Sequence, residues 1–172
     1  MRAILSLLIA LPLLLLGGCQ RRSSLDLSLT VHGTLAESHV LARPVAVELL
    51  DPEGRLHRLR LREPDQIDLS AAQALNAPLH LPLRGRLRPG HYVGLRLVFA
   101  DSAWLEAANG SRQPLKVDVR GPFAPLDVQL SAHDRQRLTA QIDLPASVPQ
   151  QGVFHERLSF LPALSVSSVG SR

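Results

Sequence analysis

The chain has 172 residues and a formal net charge of +4, with 19 lysine and arginine residues against 15 acidic ones. So small a basic surplus argues against a dedicated nucleic-acid binder, which carries a concentrated positive surface. The single cysteine excludes an intramolecular disulfide framework, and one tryptophan with one tyrosine argues against a carbohydrate platform built from exposed rings. Stability therefore has to come from apolar packing in a domain of ordinary size.

The amino-terminal segment has the composition of an export leader. A basic residue, Arg2, precedes an apolar run from Ala3 to Leu16, and two glycines separate this run from Cys19. The run is shorter than the roughly 20 residues that a membrane-spanning helix needs, and an ordinary secretory signal needs no cysteine at its cleavage point. The pattern resembles the lipobox of bacterial lipoproteins. We therefore predict a lipoprotein signal peptide at 1–18 in preference to an anchor helix or an ordinary signal.

The lipobox resemblance implies a defined modification at Cys19. The bond between Gly18 and Cys19 is cut, the thiol receives a diacylglyceryl thioether, and the new amino group is acylated. Two or more acyl chains hold a protein firmly on a membrane, whereas one chain does so only marginally. Gln20 in place of aspartate implies the outer membrane, with the periplasmic face expected and the cell surface as the alternative. Residues 19–24 then form a polar tether ahead of one domain at 25–172.

Alternation of apolar and polar residues begins at Leu25 and indicates strands with one buried face. Seven segments share this pattern: 25–31, 45–49, 79–83, 93–99, 115–119, 126–130 and 138–144. In the fourth segment the inward residues are expected to be Val93, Leu95, Leu97 and Phe99, and the outward ones Gly94 and Arg96.

Turn signals and one helical segment lie between these strands. Asn109-Gly110 predicts a type I′ turn, because that turn needs positive φ at both central residues, and 103–108 and 113–119 are its expected strands. The segment 70–76 predicts a short helix with Ser70 as its N-cap. Pro82 within a strand pattern predicts an edge position, and Tyr92 is expected to close the corner after a Pro-Gly turn.

Several short strands at this spacing indicate an all-β fold instead of βαβ units. We expect an antiparallel immunoglobulin-like or transthyretin-like β-sandwich of about seven to nine strands with one short helix.

Several short motifs follow one another in a fixed order along this domain. They are IDLS at 67–70, LRPGHY at 87–92, LRL at 95–97, NG at 109–110, PLKV at 114–117 and FLPAL at 160–164. Their order resembles the bacterial domain of unknown function 4382 across residues 25–166. The resemblance implies a secreted or lipid-anchored β-domain, and no activity is established for that family.

The sequence contains no residue set that predicts catalysis or metal binding. The seven histidines lack the close spacing that often marks metal ligands, and we interpret them as surface residues, with a site across strands as the alternative. A G-x-S-x-G nucleophile or a cysteine near a histidine is absent. Asp65 with Asp68, and Asp51 with Glu53, stand near turns and are interpreted as capping residues instead of calcium or glycosidase pairs. We predict a protein that is not an enzyme and uses no cofactor.

Arginine on strand faces is the strongest signal for binding. Seven arginines fall on the polar parity of their segments: Arg58, Arg60, Arg62, Arg84, Arg86, Arg88 and Arg96. If their strands are neighbours, these residues form an exposed basic face, and guanidinium groups suit phosphate and carboxylate. The alternative is a solvated sheet face without a ligand.

These features predict a lipid-anchored, non-enzymatic binding or structural module of the cell envelope. Its expected partners are the membrane, through the lipid anchor, and either of two envelope components. One is an anionic glycan or lipopolysaccharide at the arginine face, and the other is an envelope protein at the edge near Pro82. Neither nucleic acid nor a metal is expected.

Overall fold

The computed structural model describes residues 23–35, 38–118, 121–148 and 158–169. Its strands are β1 (Ser24–His32), β2 (Ser38–Ala42), β3 (Pro44–Leu50), β4 (Leu56–Leu61), β5 (Ile67–Asp68), β6 (Leu79–Leu81), β7 (Leu83–Arg84), β8 (Gly90–Phe99), β9 (Ser102–Ala107), β10 (Arg112–Val117), β11 (Ala124–Leu130), β12 (Arg135–Asp143), β13 (Ser159–Phe160) and β14 (Ala163–Val169). The helices are α1 (Leu69–Leu75) and α2 (Leu144–Ser147). The predicted signal peptide, its cleavage site at Gly18 and Cys19, and the tether as far as Arg22 lie outside the described residues.

The strands form three sheets. Sheet I has the order β14-β12-β1-β6, sheet II the order β13-β10-β9-β2-β5, and sheet III the order β11-β8-β3-β4-β7. Pairing is mostly antiparallel, while β1 with β12 and β10 with β13 pair in parallel. The prediction of an all-β sandwich with little helix is confirmed. The apolar positions of all seven alternating segments lie in strands, apart from Leu144, which begins α2, and Val119, which lies outside the described residues.

Two bent strands pass from sheet II to sheet III. Only Arg43 separates β2 from β3, and only Ala100 and Asp101 separate β8 from β9. The bends touch, because the amide of Ala100 donates to the carbonyl of Arg43 at 2.8 Å. Strands that switch sheets at such corners allow two sheets to pack at a large angle. The bends explain part of the excess of strand segments over the seven to nine predicted, since each bend divides one long strand in two. The two-residue strands β5, β7 and β13 add three more segments in the described part of the chain.

One apolar cluster draws side chains from all three sheets. Among its fully buried members are Leu27 and Ile142 in sheet I, Phe160 in sheet II and Leu95 in sheet III. The rings of Phe160 and Phe99 meet edge to face, with centroids 5.2 Å apart, an arrangement that aromatic pairs prefer. This shared core holds the outer face of sheet III in place.

The inward parity predicted for β8 holds from Leu95 to Phe99 and fails before it. Val93 is half-buried and lies outside the apolar cluster, whereas Tyr92 is buried within it. The register of β8 against β11 shifts by one residue here, so that Tyr92 lies opposite the inward Val128. The expectation for Val93 is wrong because a register shift of one residue moves side chains to the other face.

Helix α1 is present, but its N-cap is Asp68 and not Ser70. The Asp68 carboxylate accepts from the amide of Ala71 at 3.0 Å, while the Ser70 hydroxyl binds the backbone of β2. The helix ends at Asn76, which has a left-handed φ of 47°, as is common after a last helical turn. The sequence pattern missed the cap by two residues because both side chains are good cap formers.

A second helical turn, α2, follows β12, where the alternation suggested strand as far as Leu144. The Asp143 carboxylate accepts from the amide of Ala146 at 3.0 Å, and Pro145 lies in the first turn, where its missing N–H is harmless. Aspartate followed by a leucine and proline is therefore a helix start that ends the strand at Asp143.

The hairpin at Asn109-Gly110 joins β9 to β10 as expected, but its turn is not type I′. Only Gly110 has positive φ, at 78°, and the Asn109 side chain accepts from the amide of Ser111 at 2.9 Å. The amide of Ala107 donates to the carbonyl of Ser111 at 2.9 Å, which leaves three residues in the loop. A three-residue loop needs a single left-handed position, and Gly110 occupies it.

Candidate functional site

The predicted arginine face lies on the outer side of sheet III, but β3 divides it. The strand order β8-β3-β4-β7 places Glu48 of β3 directly between Arg96 of β8 and Arg58 of β4. In the next row Arg60 of β4 lies directly opposite Arg84 of β7. The face therefore has a charge-paired part around Glu48 and a purely basic part at Arg60 and Arg84.

In the charge-paired part, Glu48 binds two arginines and is only 7% exposed. Its Oε2 atom lies 2.7 Å from Nε and 2.6 Å from Nη2 of Arg96, and its Oε1 atom lies 3.3 Å from Nη1 of Arg58. The Arg96 guanidinium also lies 4.5 Å from the ring centroid of Phe123, a favourable cation–π distance. Its Nη1 donates to the carbonyl of Gly121. These contacts engage Arg96 within the fold and leave it little capacity for an external anion.

In the basic part, Arg60 and Arg84 are exposed, and within the described residues neither pairs with a carboxylate. Directly opposed residues of an antiparallel pair have Cβ atoms about 5 Å apart, and like charges there repel. A phosphate or carboxylate bound between the two guanidinium groups would relieve this repulsion and accept several charge-assisted hydrogen bonds. Arg62 follows β4, is also exposed, and is held by a backbone hydrogen bond to Pro82 at 2.8 Å.

Arg86 and Arg88 lie beyond this face. Strand β7 ends at Arg84, and Gly85 follows with a φ of 127°. Leu87 then pairs with Ser23 in an isolated bridge, with Arg86 and Arg88 exposed on either side of it. The parity expected for a single strand from 84 to 88 does not apply, because the strand stops at the glycine.

A crevice of about 660 Å³ opens where the charge-paired part meets the strand bends. Arg43 and Asp101 line it from the bends, and Glu48, Arg58 and Arg96 line it from sheet III. Three positive side chains face two negative ones, so its positive surplus is smaller than that of the Arg60 and Arg84 pair. The crevice suits a small anionic group less well.

A second cavity, of about 270 Å³, contains the pair His57 and Asp51. Nε2 of His57 lies 2.9 Å from Oδ2 of Asp51, and the amide of Arg55 donates to Oδ1 at 2.7 Å. The hydrogen bond from His57 lowers the pKa of Asp51; burial opposes this effect and the Arg55 amide reinforces it. Asp51 thus closes the turn between β3 and β4, which confirms its interpretation as a capping residue.

Tyr92 forms the corner that the sequence predicts. The residue is 2% exposed, its ring meets that of His57 edge to face with centroids 5.2 Å apart, and its hydroxyl donates to the carbonyl of Arg88 at 2.9 Å. Burial is the main reason that the pKa of Tyr92 is raised, and the nearby charge of Asp51 acts in the same direction. The phenol is therefore neutral at physiological pH and serves as a hydrogen-bond donor.

Two further histidines form pairs with aspartates, His39 with Asp68 at 2.9 Å and His91 with Asp127 at 2.7 Å. Asp68 also caps α1, as the interpretation of this residue expects. Across the ranges that the structure describes, no three histidine, cysteine or acidic side chains converge as a metal-ligand set.

No family model, curated protein or solved structure matches the chain. The resemblance to the domain of unknown function 4382 therefore stays a prediction. Within the described residues, neither helix has the length and apolar character needed to cross a bilayer.

Sequence reasoning missed Glu48, which decides how the arginine face is divided. A signal was present, because Glu48 lies at the outward position between the inward Val47 and Leu49 of an alternating segment. What the alternation lacks is the strand order. Only the insertion of β3 between β8 and β4 reveals that Glu48 forms ion pairs with both Arg96 and Arg58.

Proposed function

We propose that the protein is a lipid-anchored, non-enzymatic binding module of the outer membrane that binds an anionic envelope glycan through Arg60 and Arg84. The observation that carries this proposal is the direct opposition of these two exposed arginines across the β4–β7 ladder. An acidic sugar or a sugar phosphate, such as those of lipopolysaccharide, supplies the counter-charge that this pair lacks.

The spacing of the neighbouring arginines supports a polymeric ligand. Arg58, Arg60 and Arg62 alternate along β4 and its end, and residues two apart on a strand are separated by about 7 Å. Arg58 is half exposed despite its contact with Glu48. A row of cations with this repeat suits a chain of anionic groups better than a single small ion.

The polar pair His57 and Asp51 supports a structural instead of a catalytic role. Both carboxylate oxygens of Asp51 are occupied, one by His57 and the other by the Arg55 amide. The nearby Tyr92 hydroxyl donates to a backbone carbonyl. A catalytic pair needs a nucleophile or substrate proton within hydrogen-bond reach, and these contacts hold the turn together.

Retention on immobilised lipopolysaccharide tests the binding proposal. Replacing Arg60 and Arg84 together with glutamine should weaken retention at least about tenfold, because each charge-assisted hydrogen bond contributes about 1.5–3 kcal/mol. The matched control replaces Arg112 and Lys116, two exposed cations of β10, and should retain binding. Added salt should weaken the parent, since exposed charges are screened over about 10 Å at 0.1 M. Equal losses in both double variants, or binding that ignores salt, would favour the solvated-face interpretation.

The anchor is tested separately with Cys19→Ala. Without the thiol no thioether can form, so this variant should incorporate no labelled fatty acid and should leave the membrane fraction. Labelling equal to that of the parent would contradict the lipoprotein proposal.

A protein partner at the edge near Pro82 is the second candidate. Pro82 joins β6 to β7, which are the outermost strands of sheets I and III, so the predicted edge position is confirmed. Both strands are very short, and short edges with proline are typical of edges protected against pairing. A specific crosslink from this edge to an envelope protein would favour this candidate over the glycan.

A further inference from the structure

We propose that the anchored protein rests on its own membrane through the end of the sandwich that carries Ser23 and Leu87, with Arg86 and Arg88 bound to phosphates of anionic lipid headgroups. This inference rests on the proposed lipid anchor at Cys19. It assigns the domain an orientation and gives Arg86 and Arg88 a ligand different from that of Arg60 and Arg84.

The length of the tether limits where the membrane can be. Four residue steps separate Cys19 from Ser23, and an extended chain spans at most about 3.3–3.6 Å per residue. Ser23 therefore lies within about 14 Å of the lipidated cysteine. A tether this short restricts which part of the domain can touch the headgroups.

Ser23 is fixed firmly to one end of the sandwich. Its amide donates to the carbonyl of Leu87 at 2.9 Å, and the Leu87 amide donates back to Ser23 at 3.0 Å. The Ser23 hydroxyl donates to the carbonyl of Ser131, and both Ser23 and Leu87 are 2% exposed. Residues 86–88 and the turn at Ser131 are thus the parts of the fold that surround Ser23, the first described residue after the proposed anchor.

The charges at this end favour an anionic surface. Arg86 and Arg88 are exposed and directly flank Leu87. Three of the acidic side chains nearby are already engaged: Asp26 pairs with Arg135 at 2.7 Å, the Asp134 carboxylate accepts from backbone amides, and Asp51 binds His57. The exposed Glu53 lines the same cavity as Arg88 and offsets one positive charge there. Basic residues next to a lipid anchor strengthen attachment to anionic leaflets.

The opposite end of the domain then faces away from the membrane. Strand β1 starts next to Ser23 and runs from Ser24 to His32, a length of about 26 Å at the usual rise per residue. Thr34, exposed just beyond the end of β1, is therefore a distal reference position. Ser131, exposed beside Ser23, is the proximal one.

Quenching of a thiol-reactive fluorophore by headgroup-labelled lipid tests this orientation. The natural chain has one cysteine, whose sulfur the lipid occupies in the proposed mature form, so Ser131→Cys or Thr34→Cys adds a unique free thiol. The lipidated full chain is placed in vesicles of phosphatidylcholine, with or without phosphatidylglycerol. We expect strong quenching at position 131 and weak quenching at 34 in the anionic vesicles, and a smaller difference in neutral vesicles or at high salt.

Charge variants identify the residues responsible. Arg86→Gln with Arg88→Gln should reduce the difference between the two labels in anionic vesicles to the neutral-vesicle value. Arg112→Gln with Lys116→Gln, which removes the same charge elsewhere, should leave it unchanged. Equal quenching of both labels would overturn the inference even where the protein floats with the vesicles in a density gradient. A difference in quenching that does not depend on lipid charge or salt would also overturn it. If the parent protein does not float with the vesicles, both the proposed lipid anchor and this orientation are wrong. Retention on lipopolysaccharide tests the roles of Arg60 and Arg84 independently of this result.

Discussion

Two glycines with nearly the same φ angle allow the destabilisation caused by backbone strain to be distinguished from that caused by steric overlap. Gly33 and Gly54 have φ values of +75° and +79°, but a Cβ on Gly33 would lie 2.5 Å from Cδ of Pro145, whereas one on Gly54 meets open space. A left-handed backbone destabilises a non-glycine residue by roughly 1–2 kcal/mol, and overpacking adds about 1–3 kcal/mol. We expect Gly33→Ala to lower the free energy of unfolding more than Gly54→Ala in chemical denaturation. Equal losses would mean that Pro145 moves aside readily.

Asp51 should make stability depend on pH in the acid range. The hydrogen bond from His57 holds the pKa of Asp51 below the ordinary value of 3.8 that applies in the unfolded chain. The stability that ionised Asp51 contributes is therefore fully present above that ordinary value. It is lost as the pH falls through the lowered folded pKa. The free energy of unfolding should therefore fall below about pH 4, and Asp51→Asn and His57→Ala should each flatten this decline in denaturation at stepped pH. A decline of unchanged steepness in both variants would assign it to other carboxylates.

Individual polar residues were predictable only where their role is local. Asp51 and Asp68 act within a few residues of themselves, and their capping roles follow from turn chemistry alone. The failure at Ser70 has a non-local cause, because its hydroxyl binds the backbone of β2, which lies 30 residues away in sequence. Likewise nothing near Glu48 in sequence reveals that it lies between Arg96 and Arg58.

Among the elements, β8 carries residues of both the core and the arginine face, so substitutions in this strand test how its two faces differ. Leu95 is fully buried, and its truncation to alanine should destabilise the fold by about 2–5 kcal/mol. Arg96→Ala should also be clearly destabilising, because it removes the main partner of the buried Glu48 carboxylate. The exposed Arg137→Ala is the control and should stay within about 0.5 kcal/mol in thermal denaturation. If Arg96→Ala behaves like this control, Glu48 and Arg96 do not form a stabilising pair.

Strands were predictable from alternation, whereas their neighbours were not. Period-two patterns depend on one buried face and are visible within a few residues, so all seven segments were recognised. Pairing depends on contacts across the whole chain, which is why the parallel β1–β12 pair and the place of β3 in sheet III were missed. The prediction of exposed arginines on this face therefore holds for Arg60 and Arg84. It was incomplete for Arg96, because it did not include the ion pair with Glu48.

For the molecule as a whole, the position of β1 links the first described residues to the core. It is an inner strand of sheet I, paired in parallel with β12 over its whole length and antiparallel with β6. Its partner β12 lies more than a hundred residues away in sequence, so sheet I closes only after most of the chain is in place. Folds dominated by such distant pairs form slowly. Under the proposed lipid anchor, a pull from the membrane would enter the fold at β1, a strand that is paired on both sides.

Hydrogen exchange should report this arrangement. The centres of β1 and β12, around Leu29 and Ala140, are buried, and each strand is paired on both sides, so their amides should exchange only when the whole fold opens. The amides of α1 and of the two-residue β7 should exchange much faster, because α1 exposes Leu75 and β7 lies at a sheet edge. Mass spectrometry on the full chain in detergent, with peptides that cover these elements, measures the difference. Exchange in β1 as fast as in α1 would contradict an inner position for β1, because an inner strand cannot open without separating from both β12 and β6.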